Sequence, residues 1–218
     1  MIKAVIFDMD GVIIDSEPLH YKVFKEYLQS KWELSISDEE YSTFIGTTNH
    51  HMYSVLKEKY NLTAEVTALV EEYEEKCIAF LLASKMEKPI LGVDALVKNL
   101  YQNNIRLALA SSSPKKNINL VLEMFGLHPY FEVVVSGQEV VNSKPSPDIF
   151  LRAAKLLDLS PEECLVFEDS GNGVVAAKEA GMKCIAFYNP NSGKQDLSRA
   201  DHIIESFAEV DSTVTLAK

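Results

Sequence analysis

The chain has few cysteines, few basic residues for its acidic content and no long apolar run, and each shortage removes a class of protein. Its three cysteines, Cys77, Cys164 and Cys184, are scattered and form no Cys-x-x-Cys pair. They read as buried thiols in a reducing compartment, so a cytoplasmic location is expected. No apolar stretch approaches the length of a membrane span. The N-terminus enters a strand-like run at once, without the basic region and long apolar core of a signal peptide. Lysine and arginine total 21 against 32 aspartates and glutamates, a formal net charge of -11. With no basic stripe, nucleic acid is not an expected partner. An anionic substrate must then be held by a local cation, a lysine or helix N-termini. There is no internal repeat and no low-complexity tract.

What is there is 218 residues, 47% hydrophobic and 24% charged. That is ordinary for a soluble globular protein and long enough for one large domain or a domain with an insertion. Apolar, β-rich runs recur at 4–7, 105–110 (IRLALA), 131–136 (FEVVVS), 164–167 (CLVF), 184–187 (CIAF) and 202–204. Continuous apolar runs suit strands buried on both faces of a parallel sheet. Between the later runs lie helical patterns at 115–125, closed by Gly126, at 148–157, opened by Pro147, and at 173–180, closed by Gly181. The alternation predicts an α/β fold with a doubly wound, mainly parallel, Rossmann-like sheet.

One connection is anomalous. About ninety residues separate the first run from the second, far beyond an ordinary crossover. They carry helical patterns at 19–28, 38–44, 52–60 and 64–82. The prediction is a helical cap domain, 15–91, inserted after the first strand of a core formed by 1–14 and 92–218. Hinges are expected at 14–18 and 87–92, punctuated by Pro18 and the Pro89 to Gly92 stretch. A further helix at 93–101 returns to the sheet.

In an open parallel sheet, ligands bind outside the carboxyl ends of the strands. Strand one ends in Asp8-Met9-Asp10-Gly11. Side chains alternate along a strand, which starts both carboxylates on one face. Like charges so placed repel, and Mg²⁺, suited to carboxylate oxygen, is the simplest remedy. Strand two ends in Ser111-Ser112-Ser113, strand three leads to Ser143-Lys144-Pro145, and strand four ends in Glu168-Asp169-Ser170. Acids, hydroxyls and one lysine on a single edge are what a nucleophile, a metal cage and phosphate donors require. The stretch 171–176 (GNGVVA) matches a dinucleotide-binding glycine pattern. It follows a late strand rather than opening the first βαβ unit, so helix packing against the sheet is the expected reading.

These residues lie in four ordered motifs, FDMDGVIID, LALASSS, SKPSPDIF and FEDSGNGVVAA. With them the chain resembles, over nearly its whole length, the haloacid dehalogenase superfamily of phosphotransferases. The likeness is greatest to the branch holding β-phosphoglucomutase and small sugar-phosphate phosphatases. The resemblance implies that Asp8 is the nucleophile, phosphorylated to an aspartyl phosphate that splits one hard displacement into two steps. It implies that Asp10 is the general acid and base, with its backbone carbonyl on Mg²⁺. Asp169 would be a further ligand, and Glu168 a ligand or an acceptor behind one. The expected metal group is thus Asp8, Asp10, Glu168 and Asp169. Ser111, the Ser112 amide and the Lys144 ammonium would bind phosphate oxygens.

In the cap, the resemblance points to His20, which helps place the general acid and substrate in β-phosphoglucomutase-like members. It also points to the loop at Gly46 and Thr47 that reads the leaving group. Sugar mutases of this branch carry arginine three positions after that glycine, where this chain has Asn49. Lys76, on a later cap helix, is the remaining candidate cation for a second phosphate, with a solvated face the commoner fate for such a lysine. Asp15 is expected to be a turn or cap acid, and Met52, Tyr53 and Trp32 to be cap core.

The expected function is Mg²⁺-dependent hydrolysis of a small-molecule phosphate monoester, a sugar phosphate foremost, by a monomer. Two alternatives stay open. A β-phosphoglucomutase, moving a phosphoryl group between sugar C1 and C6, must exclude water and hold a bisphosphate at both ends. A signalling receiver shares the acids, Mg²⁺ and lysine on an α/β sheet, but is much shorter and has no helical cap.

Overall fold

A computed structural model of the chain describes residues 1–83 and 89–210. Residues 87 and 88 of the second expected hinge lie outside the described residues. The strands are β1 (Ala4–Phe7), β2 (Arg106–Ser111), β3 (Val133–Ser136), β4 (Cys164–Glu168), β5 (Lys183–Phe187) and β6 (His202–Ile204). They form one sheet of order β3-β2-β1-β4-β5-β6, every pairing parallel. The helices are α1 (Glu17–Trp32), α2 (Asp38–Ser42), α3 (Asn49–Tyr60), α4 (Val66–Ala83), α5 (Val93–Gln102), α6 (Lys115–Met124), α7 (Asp148–Leu156) and α8 (Gly171–Glu179).

The central strand is buried throughout because helices cover both faces. Ala4 and Ile6 point into one core with Ile149 and Phe150 of α7 and Val174 and Ala177 of α8. Val5 and Phe7 point into the other, with Leu96 of α5, Ile118 of α6 and the helices of the inserted segment. Successive side chains therefore meet different apolar layers, which is why the strand shows no polar alternation. The glycine-patterned stretch at 171–176 packs α8 against β4 and β5, as expected from its position.

Helices α1 to α4 occupy the long connection after β1. Their interior is aromatic: Tyr53 and Tyr73 meet at 5.5 Å, Phe24 and Tyr41 at 5.0 Å, and Tyr27 and Trp32 at 5.7 Å. Among the boundaries that differ from the sequence reading, three helix starts have a local cause. Helix α1 begins at Glu17, with Pro18 in its first turn, where its missing N–H leaves no bond unmade. The expected hinge at 14–18 thus overlaps a helix start. Helix α3 begins at Asn49, because the Thr48 side chain accepts from the His51 amide at 3.2 Å. Asn49, His50 and His51, ahead of the helix expected at 52–60, form its first turn. Helix α8 begins at Gly171, capped by Ser170 Oγ, which accepts from the Gly173 amide at 3.0 Å. No helix among the described residues is long and apolar enough to cross a membrane.

Candidate active site

The strand order reverses between β1 and β4, the place where open parallel sheets bind ligands. Asp8 leaves β1 there, its amide donating to the Phe167 carbonyl at 2.9 Å. Lys144 donates from Nζ to Asp8 Oδ1 at 2.7 Å and to Glu168 Oε1 at 2.6 Å. Glu168 Oε2 accepts from the Asp169 and Ser170 amides, both at 2.8 Å, and from Ser170 Oγ at 2.9 Å. Both Glu168 oxygens are thus engaged with protein donors. Asp169 accepts from Ser192 Oγ. Just beyond Asp10, Gly11 adopts φ 79°, and a Cβ there would stand 1.8 Å from Asp169 Oδ2, so only glycine lets the β1 loop lie on this carboxylate.

Asp8, Glu168 and Asp169 are buried and each offers an oxygen within 4.8 Å of the others. Burial pushes the Asp8 carboxyl up, against the pull of Lys144 and with Glu168 and Asp10 adding to the rise. Burial, then the Glu168 and Asp8 charges, push Asp169 well above the carboxylate range. Burial opposes the charge on Lys144, yet Asp8 and Glu168 raise it above its ordinary value. Three carboxylates facing one ammonium leave two negative charges without a partner when all are ionised. Hard oxygens, a double negative excess and a glycine-lined cradle fit a Mg²⁺ ion.

Asp10 is turned toward a different set of groups. Its Oδ1 accepts from Ser16 Oγ at 2.5 Å and lies 3.5 Å from His20 Nε2. Its Oδ2 accepts from Ser113 Oγ at 2.7 Å and Ser111 Oγ at 3.3 Å. Burial raises Asp10, but hydrogen bonds from His20, Ser16 and Ser113 prevail and hold it at about 2. Burial opposes a charged His20, while Asp10 and the Cys77 thiol lift it well above the ordinary imidazole value. The surroundings thus favour the carboxylate form of Asp10 and the charged form of His20.

Above Asp8 and Asp10 the inserted helices bound a partly open chamber of about 60 Å³. His20, Gly46, Thr47, Asn49 and Ser112 line it, as does Met52, expected only as core. Asn49 donates to Glu74 Oε1 at 3.5 Å. Ser112 Oγ donates to the Gly46 carbonyl at 2.8 Å. Lys76 is not brought to the site: it is exposed, its ammonium 5.9 Å over the Tyr27 ring. Asp15, expected to be a turn or cap acid, instead accepts from the Asn189 and Asn191 side chains at 3.2 and 2.6 Å and so ties the loop after β1 to the loop after β5.

Sequence reasoning missed Ser16, Ser113, Glu17 and Tyr41. Glu17 is buried on the chamber wall, with the Tyr41 hydroxyl donating to its Oε2 at 3.5 Å. Burial lifts Glu17 to about 7, against the pull of His20. A serine run after an apolar strand was the available signal for Ser113. Nothing local marked Glu17 as different from other first-turn acids.

A buried carboxylate held by lysine, two more acids at the end of the adjacent strand and a second aspartate two residues on have the make-up that phosphoryl transfer requires. The haloacid dehalogenase-like hydrolase family matches residues 5–187, and the chain belongs to it. YhcW of Bacillus subtilis (strain 168) is 36% identical over 219 residues, 99% of this chain and 97% of that protein. The phosphorylated carbohydrates phosphatase of Thermotoga maritima is 33% identical over 195 residues, 88% of each. The crystal structure of CbbY from Rhodobacter sphaeroides in complex with phosphate superposes with a TM-score of 0.88 at 28% identity, covering 100% of both chains. With these relatives, the chain is a hydrolase of phosphate monoesters.

Proposed function

We propose that the chain is a Mg²⁺-dependent phosphatase of small hydroxylated phosphate monoesters, sugar phosphates foremost, working through an aspartyl phosphate on Asp8. The observation that carries this is the buried Lys144 ammonium bridging Asp8 and Glu168. It holds the Asp8 carboxylate in place and offers positive charge where phosphoryl oxygens would sit. An Asp8 oxygen attacks phosphorus, the bond from phosphorus to the ester oxygen breaks, and that oxygen takes a proton from Asp10. Water then attacks phosphorus while Asp10 takes its proton, releasing inorganic phosphate and the free Asp8 carboxylate.

Asp10 rests ionised, so it already suits the second step. For the first step it must carry a proton, and the His20 ring, 3.5 Å away, is the titratable group placed to exchange one with it. Asp8, Asp169 and the Asp10 carbonyl would hold Mg²⁺, which when bound supplies charge neutralisation at the transferring group. Glu168, with both oxygens engaged, orients Lys144 and the Asp169 turn. Ser111 and Ser112 lie at the end of β2 where a phosphate would meet them. Glu17 and Tyr41 offer an acceptor and a donor to substrate hydroxyls.

A mutase must grip a second phosphate. Among the described residues lining the chamber there is no lysine or arginine, and Asn49 stands where sugar mutases of this branch carry arginine. This favours hydrolysis. The test is phosphate release across a panel of phosphorylated metabolites with Mg²⁺, including β-glucose 1-phosphate primed with a bisphosphate. Catalytic release of phosphate supports the reading; stoichiometric glucose 6-phosphate without free phosphate overturns it.

A further inference from the structure

We propose that side chains of the catalytic loops bind the backbone carbonyls at the end of α2 and so hold the inserted helices shut over the site, with Asn172 as the principal positioning residue. The kinetic consequence rests on the phosphatase reading; the structural one does not.

The last carbonyls of a helix have no partner within it. At the end of α2 and in the loop after it, partners come from the sheet side. Asn172 Nδ2 donates to the Thr43 carbonyl at 3.2 Å and the Ile45 carbonyl at 2.9 Å. Ser112 Oγ donates to the Gly46 carbonyl at 2.8 Å, and Gln195 Nε2 reaches the Ser42 carbonyl at 3.5 Å. Gly46, at φ 80°, lies so close to the Asp169 turn that a Cβ would stand 2.3 Å from Ser170 Oγ. Ile45, Gly46 and Thr47 are themselves walls of the chamber over Asp8 and Asp10.

The donors are tied to the site. Asn172 stands in the first turn of α8, three residues after Asp169. The α8 cap is already supplied by Ser170, so Asn172 is not needed for capping. Gln195 accepts from the Gly171 amide at 2.9 Å and donates to the Ser192 carbonyl at 2.9 Å, and Ser192 Oγ donates to Asp169. The turn that carries Asp169 thus carries the groups that register the closed position. Water can replace each bond when the helices lift, so each favours closure by only about fivefold in the equilibrium. That strength allows release in each turnover.

The test uses the full chain with spin labels at Glu58→Cys on α3 and Glu123→Cys on α6; both positions are exposed and the native cysteines are buried. Distances are measured with Mg²⁺ and aluminium fluoride. The expectation is one short distance for the labelled parent. Asn172→Ala, and the isosteric Asn172→Asp, which sets a carboxylate against two carbonyls, should give a longer, broader distribution. Their KM for p-nitrophenyl phosphate should rise about tenfold, with a smaller change in kcat. Unchanged distances and KM in both folded variants would overturn the seam. Should the parent itself release no phosphate from any ester, the functional reading fails, while the label distances still decide the seam.

Discussion

Lys144 sets its ammonium 2.7 Å from Asp8 Oδ1 across 136 residues of sequence, and both groups are withdrawn from water. Breaking a buried ion pair by removing one partner leaves an uncompensated charge and costs about 3–5 kcal/mol. Lys144→Met should therefore lower stability by about that amount without Mg²⁺, measured by urea unfolding at pH 8, and should remove phosphatase activity. Saturating Mg²⁺ should recover part of the stability. A variant as stable as the parent in the absence of metal would show that the pair does not hold the site together.

Asp8→Asn should abolish turnover and leave the fold intact, since the amide matches the carboxylate in shape. It removes one of three clustered acids, and with it the Asp8 charge that, after burial and Glu168, pushes Asp169 up. The melting temperature without metal should be no lower than that of the parent. Substantial residual hydrolysis would exclude covalent transfer through this residue.

Asp10→Asn removes proton transfer at the leaving oxygen and at water, a contribution of roughly 10²–10⁴-fold. The drop should appear in kcat for esters of poorly leaving alcohols and be smaller for p-nitrophenyl phosphate, whose leaving group needs less protonation. Near-normal turnover of both esters would exclude proton transfer through Asp10.

Glu17 is lifted from 4.5 to about 7 by burial. A raised folded-state value means that Glu17 adds stability fully below pH 4.5, and that this is lost as pH rises through about 7. Glu17→Gln should therefore be more stable than the parent at pH 8, by at most about 3 kcal/mol, and no more stable at pH 4. Its KM for a sugar phosphate should rise. An equal stability difference at both pH values would contradict the shift.

Chelation should remove activity, and Mg²⁺ should restore it. Because the ion binds only the folded site, Mg²⁺ should also raise the melting temperature of the parent. That rise should vanish in Asp169→Asn. Thermal scans with and without the metal separate this from any effect on chemistry, and an undiminished rise in the variant would place the ion elsewhere.

Much of this site was legible because each key residue ends an apolar strand. Asp8, Ser111 and Glu168 follow or close runs that only a buried sheet would use, and parallel topology then gathers their ends. Lys144 was legible from the loop after such a strand. Of the partners of Asp10, His20 was legible through the resemblance, whereas Ser113 meets Asp10 only when segments about a hundred residues apart are brought together, and nothing marked Ser16, six residues on, as an acceptor's partner. Asn172 and Gln195 bind backbone carbonyls, and no residue type announces that. Lys76 shows the opposite failure. On α4 the buried stripe is Leu69, Tyr73 and Cys77, and Lys76 falls beside it on the solvent side.

The central claim is that Asp8 itself becomes phosphorylated. Acid quenching during turnover with Mg²⁺, followed by mass spectrometry of the peptide containing Asp8, tests it most directly. The account predicts an alkali-labile phosphoryl group on Asp8 at early times, absent in Asp8→Asn. Full turnover with no phosphorylated protein at any quench time, or with the group on another residue, would contradict it.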